Sequence, residues 1–274
     1  MKTSYSLFPY VVKAAHIPLI KSLLCQLFPK QFSQLHQAIQ REKDEEFSLL
    51  HILCIKDQLS IDVGVLYGGY AREMMRFSSS VAMVEANPEQ VAFLKRAFPK
   101  QQHMIIGSAA GDQKGELKLR IPRNMPGNAT VEKENTLSKH RDLIEYLVPV
   151  TPLDILFGSE KVGFIKIDVE GHENAVLRGA TAIIQHSRPR FILECGDHHK
   201  KGAVQDMFAF FHSMKYQVFF MYRGKLQHAN QYNTSFSDAK NRNSRDHVSN
   251  FIAIANEESD ALTHAIEDYL PRLQ

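Results

Sequence analysis

The chain has 274 residues, a formal net charge of +3 and an apolar fraction of 44%. This length predicts one α/β domain with a small extension. The weak charge, without a basic stripe, argues against nucleic-acid binding, and no apolar run is long enough to span a bilayer. Three widely spaced cysteines, Cys25, Cys54 and Cys195, match neither a disulfide framework nor a zinc site. Because the N-terminus lacks a signal-peptide pattern, we expect a cytoplasmic protein.

Residues 1–46 are predicted to form an N-terminal helical extension to a main domain over residues 47–274. Apolar residues recur in the extension at helical spacing: Ile17, Ile20, Leu23, Leu24, Leu27 and Phe28. We interpret this helix as packing on the main domain or on a partner subunit, which leaves a homodimer open. A membrane-surface helix is the disfavoured alternative, because its polar face carries only Lys21 as a cation. The charged run 41–46 is expected to be a solvated connector or helix face.

From residue 59 onward, strand patterns alternate with helical patterns. The predicted strands cover 59–63, 81–85, 103–109, 147–150, 162–167 and 190–194, and the predicted helices cover 68–77, 88–98, 173–185 and 203–214. This alternation predicts a doubly wound, mostly parallel sheet. Two late strands, 216–222 and 250–255, lack a convincing helix between them and are predicted to form an antiparallel edge pair, followed by a helical tail.

A hairpin and a polar segment interrupt the alternation. Apolar residues alternate strictly with charged ones after a glycine turn, which predicts a hairpin with one solvated face: Leu117, Leu119 and Ile121. The polar stretch 123–146 is interpreted as an irregular insertion and a candidate active-site cover. Asp154 stands at the third position of a predicted helix start, and we assign it a structural role.

Residues 61–70, IDVGVLYGGY, run from a strand into a glycine turn and then into a helix. Glu85 stands at the tip of the next strand, about 20 residues beyond Asp62, which is the spacing of a nucleotide-binding half-fold. Glycines let the main chain approach a ligand, and an acid at this place accepts hydrogen bonds from ribose hydroxyls. The pattern predicts an adenosine-type cofactor.

Acidic residues end four of the predicted strands: Asp62, Glu85, Asp168 and Glu194. Ligands of open α/β sheets bind beyond the carboxyl ends of the strands. One acid at such an end carries little weight, but four on one sheet are expected to converge on one crevice.

Six segments occur in order along the chain: IDVGVLYGGY, VEANPEQ, SAAGD, VPVTPLDIL, FIKIDVEGHENAVLRGA and RFILECG. With this set the chain resembles the FkbM-type family of S-adenosylmethionine-dependent methyltransferases, from about residue 59 to 196. The resemblance implies a Rossmann-like class I methyltransferase domain, with a seven-stranded sheet whose last strand is antiparallel. It also implies O-methylation of a small-molecule or glycan acceptor, often a sugar in a polysaccharide, glycolipid or secondary metabolite.

The resemblance assigns the cofactor contacts by position. It places Asp62, Gly64 and Gly68 at the amino-acid end of S-adenosylmethionine, and Glu85 and Asn87 at the ribose. Ser108 and Ala109 are placed at the adenine, and Asp168 near the methyl group. One position departs from the family pattern D-V-G-A-N-x-G, because Val65 and Leu66 replace the alanine and the asparagine. Leu66 lacks the side-chain amide of asparagine.

The expected reaction is a direct displacement, in which an acceptor hydroxyl attacks the methyl carbon and a base removes the proton. Four residues are candidates for the base: Asp168, Glu170, His172 and Glu194. A divalent metal bridging the first and last of these is a weaker alternative that no ligand pattern supports. Glu170 and His172 also fit a structural role at a helix start. The pair His198 and His199 is interpreted as a solvated loop rather than a metal site.

Two other functions stay open from the residues alone. A nicotinamide-dependent oxidoreductase would share the sheet, but its usual turn is G-x-G-x-x-G, whereas this turn is G-x-x-x-G. A non-catalytic scaffold with a cofactor-binding fold is supported only by Leu66 and the N-terminal extension.

Overall fold

A computed structural model describes residues 18–100, 104–237 and 247–273. Within these residues one sheet contains eight strands: β1 (Leu59–Val63), β2 (Ser80–Glu85), β3 (Ile105–Gly107), β7 (Val162–Ile167), β8 (Arg190–Glu194), β9 (Tyr216–Tyr222), β10 (Lys225–His228) and β11 (Asn250–Ala255). Their order is β10-β9-β11-β8-β7-β1-β2-β3. A smaller sheet joins three further strands: β4 (Ala109–Ala110), β5 (Gly115–Pro122) and β6 (Leu143–Thr151).

Helices cover both faces of the large sheet. The first face carries α1 (Pro18–Leu27), α2 (Pro29–Lys43), α3 (Leu50–Leu53), α4 (Gly69–Met74), α5 (Pro88–Ala97) and α10 (Asn256–Tyr269). The second face carries α6 (Leu153–Phe157), α7 (Glu173–Arg178), α8 (Thr181–Ser187) and α9 (Ala203–Ser213). Among the described residues, no helix combines the length and apolar character needed to cross a membrane.

The central strands are buried on both sides, which explains their nearly continuous apolar sequence. On β7, Ile165 and Ile167 pack with α6 to α9, whereas Phe164 packs on the opposite face. Two charged residues interrupt the apolar surface of the first face, where Phe164 lies: Asp62 on β1 and its register partner Lys166 on β7. The charged interruption lies directly below the end of the sheet where ligands are expected.

The predicted fold class, a doubly wound and mostly parallel sheet, is confirmed, but the predicted number of strands is corrected from seven to eight. The last strand, β11, is antiparallel to both neighbours, as expected. It lies between β8 and β9 instead of at the edge. The edge strand is β10, which pairs with β9 through a two-residue turn at Arg223 and Gly224, both with positive φ. Such turns are usually marked by Asn-Gly or Asp-Gly, so this one was missed.

Two predicted elements are divided in the structure. The strand predicted over 103–109 begins outside the described residues and splits at Ser108 into β3 and β4, which join different sheets. The helix predicted over 173–185 breaks after Arg178, because Gly179 packs against the carbonyl oxygen of Gly111 and forms the junction of α7 and α8. Asp154 accepts hydrogen bonds from the N–H groups of Ala182 and Ile183, both at 2.9 Å, so it caps the start of α8 instead of stabilising the start of its own helix, α6.

The N-terminal extension forms part of the core in the structure. On α2, Phe32 is buried and Arg41 pairs with Glu73 of α4 at 2.8 Å. The charged run 41–46 was expected to be solvated, but Glu46 is only 6% exposed. This part of the prediction is wrong, because a 3-10 turn after α2 places Glu46 and Phe47 inside the core. The boundary at residue 46 therefore divides the sequence without dividing the hydrophobic core.

Candidate functional site

A narrow crevice opens at the carboxyl ends of β1, β2 and β7. Residues from the strand ends form its floor: Gly64, Leu66, Glu85, Ser108, Ala109, Asp168 and His172. The polar insertion supplies the opposite wall. The insertion was predicted over residues 123–146, but it ends at residue 142 because β6 begins at Leu143. We call residues 123–142 the strap.

Gly64 brings two strand ends into contact. Its φ is +81°, and a Cβ at this position would lie 1.7 Å from the carbonyl oxygen of Asp168. The N–H of Gly64 donates to the carbonyl of Val84 at 3.0 Å, and the N–H of Asp168 donates to that of Val63 at 2.9 Å. The glycine turn and the Asp168 main chain therefore pack directly on each other, with no room for a side chain between them.

Replacing Gly64 with alanine should lower the free energy of unfolding by about 3 kcal/mol or more, because both the positive φ and the contact with the Asp168 carbonyl oppose a side chain. Urea denaturation followed by circular dichroism measures the change. Gly115→Ala is the matched control, since an added Cβ there meets nothing within 4 Å. Equal stability of the two variants would contradict the packing described for this turn.

Glu85 organises the loop around the crevice. It is 8% exposed, and its carboxylate accepts hydrogen bonds from the N–H groups of Leu66 at 2.9 Å and Asn87 at 2.8 Å. Burial raises the pKa of Glu85, and these main-chain hydrogen bonds oppose that shift by favouring the charged form. A carboxylate that lines the crevice and fixes both neighbouring loops can also accept hydrogen bonds from a bound hydroxyl.

Three of the predicted cofactor residues lie behind the crevice. Asp62 is buried and accepts a hydrogen bond from the N–H of Ala71 at 3.0 Å, and burial raises its pKa to about 7. Gly68 packs against the ring of Phe98, which leaves no space for a Cβ. Asn87 caps α5 by accepting from the N–H of Glu89 at 3.0 Å. The structure shows these residues shaping the site from below, and their direct contact with a cofactor stays a prediction.

Ser108 and Ala109 line the crevice where β3 gives way to β4. The hydroxyl of Ser108 lies 3.0 Å from the carbonyl oxygen of Pro149 and 3.2 Å from the hydroxyl of Thr151. These contacts tie the crevice floor to β6. The predicted adenine-side segment is therefore a rigid junction between the two sheets.

Leu66, the departure from the family pattern, has a φ of +52° and donates its N–H to Glu85. Left-handed backbone favours asparagine over leucine, which accounts for an asparagine in the family pattern. The leucine side chain contacts the strap, since a Cβ on Gly127 would lie 3.4 Å from it. An apolar contact with the strap therefore replaces the missing amide.

Leu66→Asn should retain or improve the affinity for S-adenosylhomocysteine, because asparagine tolerates the left-handed backbone and the Glu85 hydrogen bond uses only the main chain. Titration calorimetry measures the dissociation constant. Leu66→Ala removes the strap contact without adding an amide and serves as the control. A clear loss of affinity in the asparagine variant would show that the leucine has a role of its own.

The strap is fastened to the turn after β7. The hydroxyl of Thr130 donates to the carbonyl of Glu170 at 2.8 Å, and the amide of Asn135 donates to the same carbonyl at 3.0 Å. Arg120 on β5 holds the strap from the other side, through the carbonyls of Glu132 and Asn135. Glu170 itself has a φ of +55°. These anchors hold the apolar strap residues Pro126, Gly127, Ala129 and Val131 along the crevice wall.

The four candidate bases do not all reach the crevice. Asp168 and His172 line it, whereas Glu170 and Glu194 do not. His172 lies 3.5 Å from Glu132, and burial lowers the pKa of His172, so its imidazole is mostly neutral at pH 7. Of the four candidate bases, Asp168 therefore provides the carboxylate that lines the crevice.

Glu170 faces a second pair of residues beside the crevice. Its carboxylate lies 3.0 Å from Nε2 of His199, and Nδ1 of that ring lies 3.0 Å from the Asn135 amide. His199 is 7% exposed, so its interpretation as part of a solvated loop is wrong. His198 is exposed, as expected. Polar partners on the strap explain why one histidine of an adjacent pair is buried.

A buried charged cluster lies below the crevice on the first face of the sheet. Nζ of Lys166 is 2.9 Å from Asp168, and Lys166 is 3% exposed. The charge of Asp168 and burial raise the pKa of Glu194 to about 8, and burial raises the pKa of Glu46 to about 8. In the described part of the chain, no three or more His, Cys, Asp and Glu residues are placed to hold a metal ion.

Two of these acids make the stability depend on pH. Glu46 and Glu194 keep their protons up to about pH 8 in the folded chain, but lose them above about pH 4.5 when unfolded. The folded state therefore binds more protons in this window. The free energy of unfolding should fall as pH rises from about 5 to about 8, by about 1 kcal/mol per pH unit or more.

Urea denaturation at pH 6 and pH 8 measures this dependence. Glu46→Gln should make it weaker, whereas Glu116→Gln, at an exposed position on β5, should leave it unchanged. A stability that rises from pH 6 to pH 8 would contradict the protonation assigned to Glu46 and Glu194.

The sequence did not reveal three residues that shape the site: Lys166, Thr130 and Asn135. For Lys166, the signal in the sequence was a lysine within the apolar run VGFIKI, because a buried lysine requires a partner. The other two lie in the strap, where no periodicity distinguishes an anchoring residue from a solvated one.

The family model of the methyltransferase FkbM domain matches residues 62–218. No curated protein sequence matches the chain.

Several solved structures are similar at low identity. The methyltransferase FkbM from Methylobacillus flagellatus KT has a TM-score of 0.46 and 14% identity, over 88% of this chain and 60% of its own. This chain thus spans about 60% of that protein's length. The O-methyltransferase from Bacillus cereus, in complex with S-adenosylhomocysteine, has a TM-score of 0.41 and 12% identity, over 86% of this chain and 97% of its own. The precorrin-6y C5,15-methyltransferase from Geobacter metallireducens GS-15 has a TM-score of 0.40 and 10% identity, over 77% of this chain and 87% of its own.

Proposed function

Because this chain belongs to the FkbM methyltransferase family, we propose that it transfers a methyl group from S-adenosylmethionine to a hydroxyl group of its acceptor. The observation that carries the proposal is the crevice in which the glycine turn, the buried carboxylate of Glu85 and the side chain of Asp168 meet. These three features lie at the carboxyl ends of neighbouring parallel strands, where open α/β sheets bind nucleotides.

The residues of the crevice fit an adenosyl cofactor. Glu85 offers carboxylate oxygens to the donor hydroxyls of a ribose. Ala109, Leu119 and Val131 provide apolar surface for a flat base. Gly64 lets the main chain of the turn approach a ligand closely, because no side chain intervenes there. The proposed order along the crevice is adenine at Ala109, ribose at Glu85 and the amino-acid end at Gly64.

S-adenosylmethionine, when bound, supplies a methyl group that its sulfonium already makes electrophilic. The protein must then align the acceptor and remove the hydroxyl proton. Asp168 lines the crevice with a side chain that is 30% exposed, so it can reach an acceptor oxygen. A base in this position contributes about 100- to 10,000-fold to the rate. Neutral His172 also lines the crevice and can donate or accept one hydrogen bond to hold the acceptor.

A sugar is the proposed acceptor, and a polar cavity beside the crevice supports this choice. Polar side chains line the cavity: Asn128, Asn135, Lys139, His140, Glu170 and His199. The strap forms a wall of both spaces, because Gly127 and Ala129 line the crevice and Asn128 lines the cavity. Many donors and acceptors on one wall suit a ligand that carries several hydroxyl groups.

A thermal-shift experiment tests the proposed cofactor. S-adenosylhomocysteine at 100 times its dissociation constant should stabilise the folded chain by about 2.7 kcal/mol, whereas NAD should not. A shift with NAD alone would favour an oxidoreductase, and no shift with either ligand would favour a non-catalytic scaffold. Methyl transfer from labelled S-adenosylmethionine to a panel of glycosides and sugar nucleotides then tests the acceptor. Methylation at nitrogen or carbon would exclude the proposed O-methyl transfer.

We also propose a cytoplasmic location and a homodimer. Cys25, Cys54 and Cys195 are all free thiols in the described structure, which supports a reducing compartment.

On α1, the side chains of Leu23 and Leu27 are more than half exposed and offer an apolar contact for a second copy. Light scattering that reports a monomer at micromolar concentration would contradict the dimer.

A further inference from the structure

Lys166 has no role in the function described so far, although it stands in the middle of the sheet. It is 3% exposed on β7, which is otherwise entirely apolar. Burying an ammonium group without partners carries a large penalty, so its presence requires a compensating interaction. Lys166 lies two residues before Asp168, so the two side chains point to the same face of the sheet.

The contacts of Lys166 point toward the crevice. Its Nζ lies 2.9 Å from Oδ2 of Asp168 and 4.9 Å from the centre of the Tyr70 ring. Asp62 is its register partner on β1. The hydroxyl of Tyr70 in turn donates to Asp44 at 3.2 Å, which links the cluster to the N-terminal extension. Lys166 therefore reaches Asp168 from the buried side, while Asp168 faces the crevice on the other.

The surroundings of Lys166 are strongly acidic. The titratable groups that interact with it or with its acidic neighbours come from several elements: Lys43, Asp44, Glu46, Asp62, Tyr70, Glu85, Asp168, Glu173 and Glu194. Asp168 is the largest cause of the raised pKa of Glu194, which reaches about 8. Glu194 thus holds a proton at neutral pH beside Asp168, whose partner Lys166 carries a positive charge.

We propose that Lys166 is the positioning residue for the catalytic base, orienting Asp168 through their ion pair so that its second oxygen, Oδ1, takes the acceptor proton. This inference rests on the proposed methyl transfer. Several acids surround Lys166, and the acid to which its Nζ lies at 2.9 Å is Asp168, which lines the crevice.

Carboxyl titration tests this role without any acceptor. Aspartate labelled with ¹³C at the carboxyl carbon gives the titration midpoint of Asp168, assigned by comparison with Asp168→Asn. In Lys166→Met the midpoint should rise by at least one pH unit, and Lys166→Arg should restore it in part. Lys161→Met, at an exposed position just before β7, is the matched control and should leave the midpoint unchanged. An unchanged midpoint in folded Lys166→Met would overturn the proposal.

A folding failure is also informative. If Lys166→Met does not fold, adding Asp168→Asn should restore folding, because the carboxylate that lost its partner is then neutral. A double variant that stays unfolded would show that Lys166 acts independently of Asp168 and would overturn the proposal. The wild-type affinity for S-adenosylhomocysteine is measured separately. Absence of binding would remove the proposed function, whereas the midpoint shift tests the Lys166–Asp168 pair itself.

Discussion

Glu85→Ala should lower the affinity for S-adenosylhomocysteine about 100-fold, which corresponds to about 2.8 kcal/mol. Two losses combine in this variant. The carboxylate proposed to bind the ribose is removed, and the N–H groups of Leu66 and Asn87 lose the acceptor that now holds them. A hydrogen bond to a charged group contributes about 1.5 to 3 kcal/mol, so the two effects are large enough for this change.

Titration calorimetry at pH 7.5 measures the effect of Glu85→Ala. Glu160→Ala is the control, since Glu160 is an exposed carboxylate in the turn before β7. Circular dichroism should show that both variants keep the fold at the temperature of the titration. If Glu85→Ala binds as tightly as the control, the carboxylate at the tip of β2 does not hold the cofactor.

Asp168→Asn should reduce methyl transfer by about 100- to 10,000-fold, because an amide cannot accept the hydroxyl proton. Its shape is almost that of aspartate, and the contact of the main chain with Gly64 is unchanged. The dissociation constant for S-adenosylhomocysteine should therefore stay within about threefold of the wild-type value. A loss confined to turnover identifies a group that acts in the transition state.

Single-turnover transfer of a labelled methyl group separates these effects, with any acceptor found in the glycoside panel. Asp57→Asn, at an exposed position before β1, is the control for replacing a carboxylate with an amide. Undiminished transfer by Asp168→Asn would remove Asp168 from the chemistry and would leave His172 as the remaining candidate on the crevice wall.

The sequence predicted those parts of the fold that depend on local pattern. The strands 59–63, 162–167 and 190–194 have the predicted bounds, because each is largely buried on both faces and mostly apolar in sequence. The turn at Gly64 was equally readable, since its left-handed conformation requires glycine between an apolar strand and a helix.

Features that depend on contacts between distant segments could not be predicted in this way. The break at Gly179 coincides with close packing of this glycine on the carbonyl oxygen of Gly111, and a glycine inside a helical pattern does not by itself show where the helix ends. Glu46 was assigned to solvent because its neighbours are charged, although its position after α2 buries it. The hydrogen bonds from Thr130 and Asn135 of the strap to the carbonyl of Glu170 are also tertiary contacts. In sequence, these polar residues resemble those of a solvated loop.

Sequence reasoning placed four strand-end acids around one ligand, and the structure divides them by role. Glu85 and Asp168 line the crevice, whereas Asp62 holds α4 and Glu194 belongs to the buried cluster around Lys166. The period of two along a strand explains part of the division, since it fixes which side chains share a face. The depth of a side chain below the sheet end depends on how the helices pack.

A crystal structure of the chain with S-adenosylhomocysteine tests the central claim most directly. The account predicts adenine against Ser108 and Ala109, the ribose hydroxyls on the carboxylate of Glu85, and the sulfur atom near Asp168. Binding at another place, or a crevice that stays closed by the strap at saturating ligand, would contradict the assignment of this crevice as the cofactor site.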